Sequence, residues 1–88
     1  MSVTEYKARA RAIRAGRTFA KMSQMSLAKA LGVGQTIVSR IERAWLPDSK
    51  ASVYMFQHAD RAFRLICKRL AHDEDALRVV TYLDQGDS

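Results

Sequence analysis

Gln35, Thr36, Ile37, Ser39 and Arg40 crowd into a six-residue span, and their side chains suit the recognition of flat, hydrogen-bonding edges. A glutamine amide matches the donor–acceptor pair of an adenine edge, an arginine fork matches guanine, and Thr or Ile packs on a thymine methyl. Ser39 adds a hydroxyl that can donate or accept. This is binding chemistry rather than bond-making chemistry. No Ser/His/Asp triad or paired-carboxylate constellation is evident, and Cys67, His58 and His72 do not fall into a metal-ligand spacing. Gly32 to Thr36 has the look of a phosphate-cradling loop, but the Gly-Lys-Ser/Thr ending and the preceding strand are missing. We therefore expect no catalytic, cofactor-binding or metal-binding residue, no small-molecule ligand, and no enzyme. The competing reading of Gln35 to Arg40 is an ordinary solvated helix face. Ile37, taken to lie opposite Val38 and Ile41, argues against it.

These side chains need a rigid element beneath them, and residues 24–43 supply one. Leu27, Ala28 and Leu31 fall on one face of a first short helix, for which Ser23 is a natural N-cap. Gly32 can end that helix in the left-handed conformation. After Val33 and Gly34 a second helix begins, with Val38 and Ile41 directed inward and Gln35, Thr36, Ser39 and Arg40 left outside. Two short helices joined by a tight turn, the second bearing a polar face, suit insertion into a DNA major groove.

The set Ser23-Gln24, Leu27-Ala28, Leu31-Gly32-Val33, Gln35 and Val38-Ser39-Arg40-Ile41-Glu42-Arg43 resembles the helix-turn-helix of the lambda-repressor-like (Cro/Xre) family of bacterial, phage and plasmid regulators. The likeness covers about twenty residues closely. Gly34 departs from it, standing where the family usually has Ser or another helix N-cap. The resemblance implies that Gln24, Gln35, Thr36, Ile37, Ser39, Arg40 and Arg43 contact DNA. Of these, Gln24 and Arg43 would hold the phosphate backbone. Lys21, Lys50 and the basic residues of the first helix are further backbone candidates. It also implies a structural salt bridge from Arg17 to Glu42, which would orient the reading helix and remove Glu42 from the contact set.

The charge pattern agrees with a polyanionic partner. The chain has 88 residues and a net charge of +6, with 48% hydrophobic residues. Residues 1–47 hold nine basic and two acidic side chains, net +7, whereas residues 48–88 hold six and seven, net −1. The positive charge travels with the reading segment. A single cysteine excludes an internal disulfide and fits a reducing cytoplasm. No apolar run approaches the roughly 20 residues needed to cross a bilayer, and residues 1–16 lack the apolar core of a signal peptide.

The remaining segments read as helical too. Residues 4–20 form a first helix, with Ser2 and Glu5 spaced as a capping box. Tyr6, Ala10, Ile13 and Phe19 make its inner stripe, and Gly16 implies close packing with a neighbour. Pro47 breaks the pattern, with Asp48 or Ser49 as the next cap. Residues 50–72 contain neither Gly nor Pro and form one long helix or two with a bend near His58. Asp73, Glu74 and Asp75 open a last helix whose apolar face is Ala76, Leu77, Val80 and Leu83, and residues 85–88 fray.

The expectation is a single all-α domain over 1–88, a small bundle of five to six helices. Residues 1–47 would read DNA, with the helix-turn-helix at 24–43. Residues 48–88 would dimerise through Phe56, Phe63, Leu77, Val80 and Leu83, unless these merely complete the monomer core. The expected function is a dimeric, sequence-specific regulator of double-stranded DNA, most simply a repressor at an inverted repeat. The alternative is an antitoxin or protein-interaction module that autoregulates its operon.

Overall fold

Ser2 Oγ accepts the Glu5 backbone N–H at 3.1 Å while Glu5 Oε1 accepts the Ser2 backbone N–H at 3.1 Å, closing the expected capping box. It starts α1 (Val3–Phe19), which is followed by α2 (Gln24–Leu31), α3 (Gln35–Glu42), α4 (Ser49–Arg69) and α5 (Glu74–Gln85). The computed structural model describes residues 1–47 and 49–86, except for the side chains of residues 49–51. The cap expected at Asp48 or Ser49, the Lys50 side chain and residues 87–88 of the tail expected to fray lie outside the described residues, while Gln85 is the last residue of α5. Among the described residues there is no strand, and no helix is long and apolar enough to cross a membrane. The chain is an all-α bundle of five helices.

The helices of the first half end alike. After α1 the N–H of Met22 reaches the carbonyl of Arg17 at 3.0 Å, and after α3 the N–H of Trp45 reaches that of Arg40 at 2.9 Å. Each is the six-to-one bond of a Schellman ending, which requires a left-handed residue at the turn. Gly32 fills that role after α2 with φ 73°, but Lys21 (φ 58°) and Ala44 (φ 54°) fill it after α1 and α3. An L-residue there is held against a penalty of roughly 1–2 kcal/mol, so the surrounding packing must fix these two turns.

The core joins Tyr6 and Ile13 of α1, Leu27 and Leu31 of α2, Val38 and Ile41 of α3, Ile66 of α4 and Val80 of α5. α5 lies antiparallel across α1, with Asp84 beside Arg9 at one end. Gly16 makes this approach possible. A Cβ there would collide with Ile66 Cγ2 and stand 3.2 Å from Val80 Cγ2. The packing inferred for this glycine is therefore present, and it involves two helices at once.

One open alternative is decided and two expectations change. Residues 49–69 form one uninterrupted helix, because Met55, Ala59, Ala62, Ile66 and Leu70 keep a single buried stripe that passes His58 without a break. Phe19 is not part of the inner stripe of α1: it is 44% exposed. Six residues past Ile13, it sits about 120° around the helix. Arg9 is not a surface charge. Its Nε and Nη2 donate to both oxygens of Asp84 at 2.8 and 2.9 Å, its Nη1 meets Asp60, and its guanidinium lies 4.3 Å from the Phe63 ring centroid. Two carboxylates and an aromatic face compensate its partial burial and fasten α1 to α4 and α5.

Candidate nucleic-acid interface

The surface in question begins with how α3 is wedged. Val38 and Ile41 are 1% exposed and face the core. At about 100° per residue, Gln35, Thr36, Ser39 and Arg43 then gather on the opposite side. These four, with Gln24 at the start of α2, line one open groove. Its rim holds two amides, two hydroxyls and a guanidinium, and no carboxylate. Such a groove can offer several hydrogen bonds to a polar edge and positive charge to an anion.

Behind the groove, Glu42 fixes the relation of three helices. Its side chain is 4% exposed and accepts Arg17 Nε at 2.7 Å and Arg17 Nη2 at 3.0 Å. Gln24 Nε2 donates to the same carboxylate at 3.2 Å, and Arg17 Nη1 donates to the carbonyl of Met22 at 2.9 Å. The bidentate bond with Glu42 raises the Arg17 pKa above its ordinary value, so the guanidinium keeps its charge. The ion pair implied by the family resemblance is thus formed, and it reaches further than expected. Gln24 is a groove residue whose amide is already oriented by Glu42 from behind.

Not every expected contact residue joins the groove. Ile37 is half-buried and packs against the core. Four residues from Ile41, it lies only about 40° from it around the helix, on the same side rather than opposite. Its place on the reading face is withdrawn. Arg40 occupies the flank between Ile37 and the polar side and does not line the groove. Its guanidinium lies 4.5 Å from the centroid of the Trp45 ring.

The sequence reads Trp45, just beyond α3, as a core plug or interface residue rather than a stacking platform, and the structure leaves it 39% exposed beside Arg40. Its backbone is held on both sides, by its N–H to Arg40 and by its carbonyl, which accepts the Tyr6 hydroxyl at 3.2 Å. Tyr6 itself is fully buried, and burial pushes its phenol up to about 12. The turn at Ala44 therefore folds the indole back over the last turn of α3. The signal for this was available in the five-residue spacing of Arg40 and Trp45, but the turn residue between them is alanine rather than glycine.

The five residues expected at a dimer interface are mostly absorbed by the monomer. Val80 is 0% exposed against Gly16 and cannot reach any partner, which corrects its assignment. Phe56 packs edge-on against Tyr6 with centroids 5.1 Å apart, Phe63 lies under Arg9, and Leu77 and Leu83 are half-buried on the core. Cys67 is half-buried as well, and burial pushes its thiol pKa up.

Comparison of this chain with protein families, with curated proteins and with solved structures found no match.

Proposed function

We propose that this protein is a sequence-specific regulator of double-stranded DNA, most simply a repressor that binds an inverted repeat as a dimer and occludes a promoter. The observation that carries the reading is the geometry of α3. One edge is buried through Val38 and Ile41, and the opposite edge joins Gln24 of α2 in an open, carboxylate-free groove. A short rigid helix held in this way can enter a major groove, where amide and guanidinium groups discriminate base edges. The partition of charge, net +7 over residues 1–47 and −1 beyond, supports a polyanion on this side of the molecule. Two copies would set two α3 helices about 34–36 Å apart along the duplex.

In this reading Gln35, Thr36 and Ser39 face bases, while Arg43 and the α2 start at Gln24 face phosphates. Arg40 reaches a base from the flank of α3. Glu42 and Arg17 hold the angle of the reading helix and make no contact themselves. Selection of bound duplexes from a random pool tests the proposal. A palindromic consensus is the expected result. Binding without a preferred sequence and with a steep salt dependence would replace it with a non-specific nucleic-acid module.

A further inference from the structure

We propose that the outer face shared by α1 and α5 is where two copies of this chain associate, with Phe19 close to the two-fold axis. The proposal rests on the dimeric reading above and moves the interface away from the residues first expected there.

Two adjoining apolar grooves run along this face, and Phe19 lines both of them. On one side of Phe19 the groove is lined by Arg11, Arg14, Ala15, Thr18 and Leu83. On the other side it is lined by Asp73, Asp75, Ala76 and Val79. Phe19 is 44% exposed and Val79 43%. Neighbouring apolar side chains at this exposure mark a candidate interaction surface.

The sign of the charge along the face selects the occupant. Arg11 and Arg14 make no ion pair among the described residues, and Asp75 has only an exposed contact to Arg78 at 3.5 Å. The face is thus basic at one end, apolar at Phe19 and acidic at the other. A purely acidic or purely basic partner would meet like charge over half of it. A second copy turned by a two-fold axis near Phe19 places its acidic end on Arg11 and Arg14, and its basic end on Asp73 and Asp75. That is the self-complementarity an isologous interface requires. Each contact is then made twice.

Sedimentation velocity on the full chain tests this without any DNA. Wild type should sediment as a dimer at micromolar concentration. Arg14→Glu and Asp75→Arg should each weaken self-association at least about tenfold, since each sets two like-charge pairs across the axis. An equimolar mixture of the two variants should associate again. In the mixed dimer the carboxylate introduced at position 14 of one chain meets the guanidinium introduced at position 75 of the other, while the native pair forms on the far side. Circular dichroism checks that both variants keep wild-type helicity, as their exposed positions predict. A monomeric wild type, a single variant that remains dimeric, or a mixture that stays monomeric overturns the proposal. Asp75 does not line the groove of α2 and α3 and is not among the phosphate candidates, so binding of Asp75→Arg to a selected half-site duplex reports on the reading helix separately.

Discussion

The Arg40 guanidinium is stacked over the Trp45 indole, 4.5 Å from its centroid, and the Trp45 carbonyl is anchored by the buried Tyr6 hydroxyl. A long side chain that would sample many rotamers in solvent is thereby confined to the flank of α3. Confinement before binding lowers the entropy lost on binding.

Trp45→Ala should therefore act like a weak version of Arg40→Ala. Loss of Arg40 should relax preference at one base position per half-site by about 1–3 kcal/mol. Loss of the indole should relax the same position by about 0.5–1 kcal/mol, the size of an exposed cation–π contact, and Trp45→Phe should restore part of it. Competition binding against duplexes mutated base by base checks this. A uniform loss across all sequences for Arg40→Ala would make Arg40 a phosphate clamp instead.

Glu42→Ala should destabilise the fold. It leaves the guanidinium of Arg17 beside a vacated buried site and frees the Gln24 amide from its partner. Removing one member of such a pair costs about 3–5 kcal/mol when fully buried, so the lower end is expected for an Arg17 side chain that is 17% exposed. Replacing both partners, Arg17→Met with Glu42→Leu, should recover much of that stability while DNA affinity stays low, because the angle of α3 is no longer fixed. Thermal melts and duplex titrations on the single and double variants separate the two effects. Lost binding with an unchanged melting temperature in Glu42→Ala would make Glu42 a direct contact.

These relationships differ in how far the chain announces them. Ser2, Ser23, Gly32 and the pairs Leu27–Leu31 and Val38–Ile41 lie within single turns of one another, so local rules of capping and periodicity suffice to place them. Arg9 meets Asp84 across seventy-five residues, and no local rule selects that carboxylate among the others. Val80 illustrates the same limit. Its periodicity marks an apolar face, but only the packing of α5 on Gly16 decides that the face points into its own chain. Ile37 departs from expectation for a simpler reason, since a residue four positions before Ile41 shares its side of the helix. The place of Trp45 beside Arg40 stayed hidden because Ala44 adopts a backbone conformation that its side chain does not advertise.

Gly16→Ala should destabilise the fold. The new Cβ would collide with Ile66 Cγ2 and press on Val80, and neither side chain can move away from a filled core. Overpacking of this kind costs about 1–3 kcal/mol, outweighing the roughly 1 kcal/mol that alanine gains over glycine in a helix. Urea unfolding should show a lowered midpoint, and a raised one would mean that α5 separates from α1 easily.

His58 should make stability depend on pH. It is 7% exposed, its Nδ1 has no hydrogen-bond partner among the described residues, and burial, with Arg61 adding like charge, lowers its pKa from 6.5. The unfolded chain therefore binds a proton at a pH where the folded one does not, so stability is held above about 6.5 and falls on acidification below it. The decline should be shallower in His58→Leu. Equal slopes for wild type and variant between neutrality and mildly acidic pH would show that His58 is solvated when folded.

Gly34→Ser should strengthen both the fold and the proposed contact with DNA. Gly34 is the N-cap of α3 at φ −76° and ψ 155°, a region open to any residue, and it makes no side-chain cap bond. A Cβ there meets nothing within 4 Å. Serine would add a hydroxyl able to accept an N–H of the first turn of α3 and would reduce the freedom of the unfolded chain. The sum is about 0.5–1 kcal/mol, or a few degrees in melting temperature. The same hydroxyl stands beside Gln35 at the edge of the groove, where the family resembled usually has one, so affinity for a selected duplex should rise as well. Gly34→Ala isolates the two contributions, because it keeps the entropic gain and omits the hydroxyl. If alanine tightened DNA binding as much as serine, the effect would come from a stiffer α3 and not from a new phosphate contact.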